Sequence, residues 1–282
     1  MSRMMPKQDE ILLDVRRALQ EDIGDGDVSA ALLSSQLMAE AEIISREPML
    51  VCGRPWVDAV FKEVSMAIEL NWLVNEGAWL NQPATLCLIQ GPADQILTAE
   101  RTALNFLQTL SGTATQTYHY LFKLRGTKTR LLDTRKTIPG LRMAQKYAVS
   151  CAGGNNHRMG LFDAFLIKEN HIKSCGSITK AIAQARKMRG DLFVEVEVET
   201  LEELQEALVA NPDRILLDNF TNDMLVEAVR LTQNRCELEA SGGVSLSTIA
   251  SIAQTGVDYI SVGAVTKSVQ AIDLSLLIRK LK

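Results

Sequence analysis

The chain has 282 residues, of which 46% are hydrophobic and 23% charged, with a formal net charge of −4. That length allows one large domain or two ordinary ones. The net negative charge disfavours a broad nucleic-acid-binding face. No apolar stretch is long enough to cross a membrane, and no secretory signal is expected. The five cysteines are an odd number with no CxxC pair, which predicts reduced thiols in a cytoplasmic protein and disfavours a zinc site.

The first third of the chain predicts a small α+β domain. Residues 8–20 carry apolar side chains at helical spacing, and residues 94–124 have the same character. Between them lie short β-prone segments near 39–46, 49–52, 68–74 and 85–90, with Gly-Pro at 91–92 as a break. Two helices flanking several short strands favour a compact domain that leads into a long helix.

After about residue 128 the pattern becomes regular. Short apolar runs alternate with helical stretches, and the last three runs begin at 214, 237 and 259, a spacing of 23 and then 22 residues. Such alternation indicates parallel βα units. A barrel or incomplete barrel of the TIM type is favoured over an open doubly wound sheet, whose GxGxxG fingerprint is missing here. The predicted strands lie near 130–132, 164–167, 194–198, 214–217, 237–239 and 259–262.

Polar or small residues follow each predicted strand of this second region. In α/β barrels that end of the strands is where ligand-contacting residues gather, although any loop tends to be polar. Agreement among all the strands therefore predicts a site at one end of the barrel. The residues concerned are Asp133, Lys168, Glu199, Asp218, Ser241 and Gly263.

The run from Val194 to Glu199 alternates valine with glutamate, so the valines share one face of a strand and the glutamates the other. An edge strand with its glutamates in water would show the same pattern. In a barrel the glutamates would instead point into the lumen, where they require cations or a metal. We favour the lumen.

Carboxylate and glycine-rich strand ends suggest further contacts. Asp218, together with Glu197, could hold Mg²⁺ or bind sugar hydroxyls, although Asp218 could equally cap the next helix. Backbone N–H groups at two late strand ends suit a phosphate, which barrels often bind after their last two strands, although glycine also serves plain turns. These strand ends are Ser241-Gly242-Gly243 and Gly263-Ala264.

A cationic cluster occupies residues 135–173, where seven lysines and arginines face two acidic residues. Such a cluster in an acidic chain predicts a small, multiply anionic ligand. Arg158 offers a fork for a carboxylate beside His157, whereas His119 and His171 are expected to be structural. The default interpretation of Arg142 and Lys146, spaced i, i+4 on a predicted helix, is solvation, although Arg142 could face the cluster. The basic residues are Arg135, Lys136, Arg142, Lys146, Arg158, Lys168 and Lys173.

Several long motifs, taken in order, resemble the quinolinate phosphoribosyltransferase family. Those of the second region are DTRKTIPGLRMAQKYAV, GGNNHRMGLFDAFLIKENHI, EVEVE, LLDNF, SGG and GVDYISVGA. REPMLVCG at 46–53 and ERTALNFLQTLSG at 100–112 extend the likeness towards the N-terminus. The resemblance covers nearly the whole chain.

This resemblance implies an α/β fold with an N-terminal α/β sandwich domain and an incomplete TIM-like α/β barrel. We place the sandwich with its leading helix at residues 1–112 and the barrel at 113–282, with late C-terminal residues packing back on the first domain. The family also implies a homodimer, or a higher homo-oligomer, in which one subunit's N-terminal domain covers the other's barrel and Arg101 is lent across the interface.

The implied reaction joins quinolinate to 5-phosphoribosyl-1-pyrophosphate (PRPP) with Mg²⁺, and yields nicotinate mononucleotide, CO₂ and pyrophosphate. The implied quinolinate contacts are Arg135, His157, Arg158 and Lys168, with Thr134 and Lys136 at the substrates. Glu197, chosen over Glu195 and Glu199 by family position, and Asp218 are the implied ribose and Mg²⁺ carboxylates. The catalytic group would be Lys136, Lys168, Glu197 and Asp218, and the 5-phosphate cradle Ser241, Gly242, Gly243, Gly263 and Ala264.

Two other functions stay open at this point. The molybdenum-operon paralogue is related in sequence, but Lys168 and the Asn-His-Arg run at 156–158 favour the quinolinate enzyme. A Schiff-base aldolase would use Lys168 as a nucleophile on a barrel strand. A non-enzymatic anion-binding protein fits least well.

Overall fold

The computed structural model describes residues 5–34 and 36–282, which form two compact units. The first unit contains the described residues through Tyr118 together with Ile138–Gly153 and Ser268–Lys282, and the second contains His119–Thr137 and Gly154–Lys267. The units are therefore discontinuous in sequence, whereas the prediction places one boundary at 112/113 and lets only late C-terminal residues pack back on the first domain. Across the two described ranges, no helix has both the length and the apolar character that crossing a membrane requires.

The predicted helices and strands occur in the predicted order, together with elements that the sequence did not predict, among them a helix at Arg54–Val64 and a strand at Leu274–Leu281. The helices are α1 (Gln8–Ile23), α2 (Arg54–Val64), α3 (Ala93–Lys123), α4 (Arg142–Cys151), α5 (Glu169–Cys175), α6 (Ile178–Met188), α7 (Leu201–Ala210), α8 (Asn222–Thr232), α9 (Ile249–Gln254) and α10 (Ala264–Lys267). The strands are β1 (Met38–Ser45), β2 (Met49–Leu50), β3 (Glu69–Trp72), β4 (Trp79–Leu80), β5 (Ala84–Pro92), β6 (Arg130–Leu132), β7 (Ala164–Ile167), β8 (Phe193–Val198), β9 (Arg214–Asp218), β10 (Glu237–Ser241), β11 (Tyr259–Ser261) and β12 (Leu274–Leu281).

The first unit is built on an antiparallel sheet in the order β12-β1-β5-β3. Alternate residues of β1 face the core, so that Ala39, Ala41 and Ile43 are buried, as a period of two requires. Helix α1 buries Ile11 and Val15 at i, i+4 spacing. Strand β12 pairs with β1, which places the C-terminal strand in this unit.

The default interpretation of Lys146 as a solvated residue is wrong. Its side chain is fully buried in α4, where the run from Ala144 to Val149 is buried on every side of the helix. The i, i+4 spacing correctly places it on the same face as Arg142, which is half-buried. Spacing alone could not show that this helix is enclosed, and a lysine so deeply buried is uncommon because its charge must be compensated.

The second unit is an incomplete α/β barrel, and the predicted fold class is confirmed. Its strands are parallel in the order β6-β11-β10-β9-β8-β7, so the first strand of the barrel lies beside the last. Within residues 5–34 and 36–282, β6 and β7 are not paired, and a single bridge from Leu132 to Asn155 lies beside β6. All the strands end on the same side, which brings their C-terminal residues together.

Candidate active site

A cavity of about 460 Å³ opens at the C-terminal ends of the barrel strands. Most residues predicted from the sequence to bind substrate lie in its wall, which confirms that the strand ends converge. The wall consists of Thr134, Arg135, Lys136, His157, Arg158, Leu166, Lys168, Glu197, Leu216, Asp218, Glu239, Ser241 and Ser261.

Two arginines give one side of this cavity its positive charge. Burial lowers the pKa of Arg158, and the neighbouring charge of Arg135 lowers it further, against the opposite effects of Asp163 and Glu195. The Nη1 of Arg158 donates to the carbonyl of Ala164 at 3.2 Å, whereas its Nε is buried without a hydrogen-bond partner among the described residues. Two like charges this close are unfavourable alone, so the pair is suited to receive an anion.

The loop that carries His157 and Arg158 is held by two aspartates. Asp133, buried after β6, accepts hydrogen bonds from Asn156 Nδ2 at 2.6 Å and from the His157 backbone at 2.8 Å. Asp163 accepts from the backbone of Met159 at 2.6 Å and of Gly160 at 3.0 Å. Asp133, one of the polar residues noted at the strand ends, therefore positions the site from behind its wall.

Lys168 immediately precedes α5 and forms an ion pair with Glu197 in the cavity wall. Its backbone N–H donates to Nδ1 of His171 at 3.0 Å, which fixes the start of the helix and gives His171 the structural role that was predicted. A Schiff-base lysine must bring its nitrogen to a carbonyl carbon, whereas the nitrogen of Lys168 is held against a carboxylate. This contact disfavours the aldolase alternative.

The two glutamates of β8 and Glu199, which follows this strand, occupy three different environments. Glu195 is buried, Glu197 lies in the cavity wall, and Glu199 is exposed, with its backbone bonded to Glu203 at 2.8 Å. The glutamate face therefore points into the barrel, as predicted, and its last member emerges at the rim. Of the three, only Glu197 reaches the cavity wall.

Glu197 and Asp218 project from adjacent strands into the same cavity. Burial raises the pKa of Asp218, and the charge of Glu197 raises it further, while Lys168 and Lys136 lower it. Two carboxylates that repel each other at a partly buried site fit a divalent cation with oxygen ligands, since Mg²⁺ commonly uses one or two protein carboxylates.

A buried ionic network lies against this wall, and sequence reasoning missed most of it. His157 Nε2 lies 2.9 Å from Glu195 and 3.7 Å from Glu239, and Arg214 Nη1 lies 3.4 Å from Glu239. Burial, followed by the charge of Glu195, raises the pKa of Glu239 to about 8. Although a histidine with two carboxylates could hold a metal, Arg214 already compensates this group. Alternation in β10 puts Glu239 on the same face as Ser241, a signal that could have identified it.

The glycine-rich strand ends adjoin the cavity. Gly242 has φ of 97°, and a Cβ there would lie 2.1 Å from Oδ1 of Asn219. A Cβ on Gly263 would lie 3.0 Å from the side chain of Lys136. A side chain is therefore excluded at Gly242, whereas at Gly263 the flexible side chain of Lys136 would have to shift; Ser241 and Lys136 belong to the wall. Gly243 and Ala264 follow the same two strand ends.

Arg101 does not belong to this cavity. It is exposed on α3 in the first unit, where it lines another cavity, together with Asp27 and Thr98. Its predicted role involves a second subunit and stays a prediction.

Comparisons with known proteins agree with this arrangement. The family model of the quinolinate phosphoribosyl transferase C-terminal domain matches residues 113–277, and that of the N-terminal domain matches residues 27–111. The chain belongs to the quinolinate phosphoribosyltransferase family. The members of this family are pentosyltransferases.

Individual members of the quinolinate phosphoribosyltransferase family are similar over almost the full chain. A nicotinate-nucleotide pyrophosphorylase [carboxylating] of Mycobacterium leprae is 42% identical over 93% of this chain and 95% of its own. A probable enzyme of the same name from Bacillus subtilis is 39% identical over 91% of this chain and 89% of its own. The solved nicotinate-nucleotide pyrophosphorylase of Francisella tularensis superimposes with a TM-score of 0.94, at 45% identity and 98% coverage of both chains.

Proposed function

We propose that this chain transfers the phosphoribosyl group of PRPP to quinolinate with decarboxylation, and releases nicotinate mononucleotide, CO₂ and pyrophosphate for NAD biosynthesis. One observation carries the proposal: an arginine pair and a carboxylate pair line a single cavity. A dianionic acceptor and a developing ribosyl cation require these two opposite environments within one site.

Quinolinate would bind at the cationic side. Arg135, Arg158 and Lys168 supply donors to its two carboxylates, and His157 approaches the same ligand from the loop held by Asp133. A planar guanidinium binds a carboxylate through two parallel hydrogen bonds, which orient the quinolinate ring and strengthen its binding. The ion pair between Lys168 and Glu197 links this side of the cavity to the carboxylate side.

PRPP would extend towards the glycine-rich strand ends. The side chains of Thr134 and Lys136 lie close to Gly263, since a Cβ on that glycine would be 3.4 Å from Thr134 Oγ1 and 3.0 Å from Lys136 Cδ. Lys136 suits the pyrophosphate. The 5-phosphate would meet backbone N–H groups after β10 and β11, where a compact loop approaches an anion closely. The residues proposed for this cradle are Ser241, Gly242, Gly243, Gly263 and Ala264.

Glu197 and Asp218 would hold Mg²⁺, partly through water or PRPP. When bound, this ion would neutralise the pyrophosphate and stabilise its departure. The two carboxylates themselves face the ribose, where departure of pyrophosphate leaves positive charge on C1. Preorganised negative groups stabilise that charge more effectively than water does.

The reaction consists of two bond exchanges. The bond from ribose C1 to the pyrophosphate oxygen breaks, and the lone pair of the quinolinate ring nitrogen forms the new bond to C1. The ring nitrogen then carries positive charge, which accepts the electron pair released when the adjacent carboxylate leaves as CO₂. A proton takes its place on the ring carbon.

A homodimer would complete the site through Arg101 of the partner subunit. Val28 and Leu32 are 85% and 86% exposed in the first unit and line the same cavity as Arg101. Exposed apolar side chains beside a cation of predicted function support a surface that another subunit covers. The cytoplasmic location expected from the sequence stays a prediction.

The decisive experiment is a coupled assay for pyrophosphate release with quinolinate, PRPP and Mg²⁺. We expect release that depends on all three and one CO₂ for each pyrophosphate. Nicotinate in place of quinolinate is the control, because it lacks the second carboxylate. No release with quinolinate would overturn the proposal, and a borohydride-trapped adduct on Lys168 would favour the aldolase alternative.

A further inference from the structure

Two thiols and a carboxylate meet in the first unit, far from one another in sequence. Cys52 follows β2, Glu76 lies in the turn before β4, and Cys151 is the last residue of α4. One sulfur or oxygen atom from each residue lies within 4.8 Å of the other two. The proposed transferase reaction uses none of these groups.

The groups are held in place by their surroundings. Cys52 is fully buried, and its backbone N–H donates to the hydroxyl of Ser111 at 3.0 Å, which donates back to the Cys52 carbonyl at 2.9 Å. Glu76 and Cys151 are half-buried, which leaves an approach from solvent. Little conformational entropy would therefore be lost when these groups bind a common ligand.

Glu76 has a structural role, but that role explains only in part why it lies beside two thiols. Its carboxylate accepts from the backbone of Gly53 at 2.8 Å and of Arg54 at 3.2 Å, which caps α2, and from the Tyr147 hydroxyl at 2.8 Å. The Cys52 thiol also hydrogen-bonds to this carboxylate, so an ion that displaces the thiol proton would lie between the same sulfur and oxygen atoms. Capping the helix does not require two thiols beside the carboxylate.

The side chains of Cys52, Glu76 and Cys151 can be neutral or negatively charged, but they cannot carry a positive charge. Their ligand atoms lie within 4.8 Å of one another, close enough to bind a single ion that takes the place of the two thiol protons. Sulfur ligands select soft ions, and two thiolates with one carboxylate suit the zinc class.

We propose that Cys52, Glu76 and Cys151 bind a thiophilic divalent ion of the zinc class, with water in the fourth position. Binding forms two metal–sulfur bonds and one metal–oxygen bond, and releases two thiol protons without any change of oxidation state. The ion would join three segments separated by up to 99 residues and would stabilise the first unit by mass action.

The test is a titration of the reduced, chelator-treated full chain with Co²⁺, a spectroscopic probe for zinc sites. We expect one ion per chain and a thiolate-to-cobalt charge-transfer band, lost in both Cys52→Ala and Cys151→Ala. The matched control is Cys87→Ala, which removes a buried thiol of the same unit and should keep the band. Zn²⁺ should displace Co²⁺ and raise the thermal midpoint of the parent chain but of neither variant.

The outcomes separate cleanly. A missing band, a band that survives in either variant, or equal loss in Cys87→Ala would overturn the proposal. If Cys52→Ala fails to fold, the half-buried Cys151→Ala decides the matter alone. Co²⁺ bound at the barrel carboxylates would give no sulfur band, so failure here would leave the transferase proposal untouched.

Discussion

Two sets of charged side chains share the barrel and behave differently. The network of Glu195, Glu239, Arg214 and His157 is buried and compensates its own charges. Other residues of the cavity wall form pairs of like charge: Arg135 and Arg158 repel each other, and so do Glu197 and Asp218, although Lys168 forms an ion pair with Glu197. Such pairs of like charge attract a ligand of opposite charge, whereas a scaffold must compensate its buried charges within the protein, because an unpaired buried charge is too costly.

The largest expected effect comes from removing an arginine of the wall. Arg158→Ala should lower kcat/KM for quinolinate by about 100- to 1000-fold, because a carboxylate of the substrate loses its charged partner. Stability should change little or improve, since the repulsion with Arg135 is relieved. Steady-state kinetics and urea unfolding measure the two effects. Lys173→Ala, which removes an exposed lysine paired with Glu169, is the control; equal loss in both variants would contradict the assignment.

Removing Arg214, the cation of the buried network, should have the opposite effect: a large loss of stability. Arg214→Leu should lower the free energy of unfolding by about 3–5 kcal/mol, because Glu195 loses a buried counter-charge and Glu239 loses a hydrogen-bond donor. Urea denaturation measures it. The exposed Arg230→Ala, whose partner is Glu227, should leave the urea midpoint unchanged. If the Arg214 variant were as stable as the parent, the buried network would not act as a scaffold distinct from the cavity wall.

The pH dependence of stability should identify Glu239. Its folded-state pKa of about 8 exceeds the ordinary value of 4.5, so the folded chain keeps a proton that the unfolded chain releases. This contribution to stability is complete below pH 4.5 and is lost as the pH rises towards 8. Glu239→Gln should therefore show a smaller loss of stability over that range in urea unfolding. Identical profiles for parent and variant would refute a neutral Glu239.

The smallest expected effect is a difference in stability between alanine substitutions at two neighbouring glycines. Gly243→Ala should cost about 1–2 kcal/mol, because φ of 59° is strained for alanine although the space is open. Gly242→Ala should cost more and raise the KM for PRPP, because its Cβ would displace Asn219. Unfolding midpoints and PRPP saturation curves test this order. Equal effects in the two variants would show that space at Gly242 is unimportant.

Much of this arrangement could be predicted from local pattern. Alternation along β8 correctly gave the lumen face, and the polar strand ends indicated the cavity. Local pattern failed where burial depends on distant neighbours. Glu237 is exposed whereas Glu239 is fully buried, although both look alike in the sequence. The prediction that Lys146 is solvated was wrong for the same reason. Cys52 and Cys151 are far apart in the sequence, so no short-range spacing could show that they lie close together.

The pairing of β12 with β1 has a consequence for synthesis of the chain. Met38 and Lys282 exchange backbone hydrogen bonds of 3.1 and 2.8 Å, although 243 intervening residues separate them. The ribosome therefore produces every barrel strand before the strand that completes the first sheet. Until residues 274–281 emerge, one edge of β1 stays open to pairing with other chains, the kind of hazard that chaperones shield.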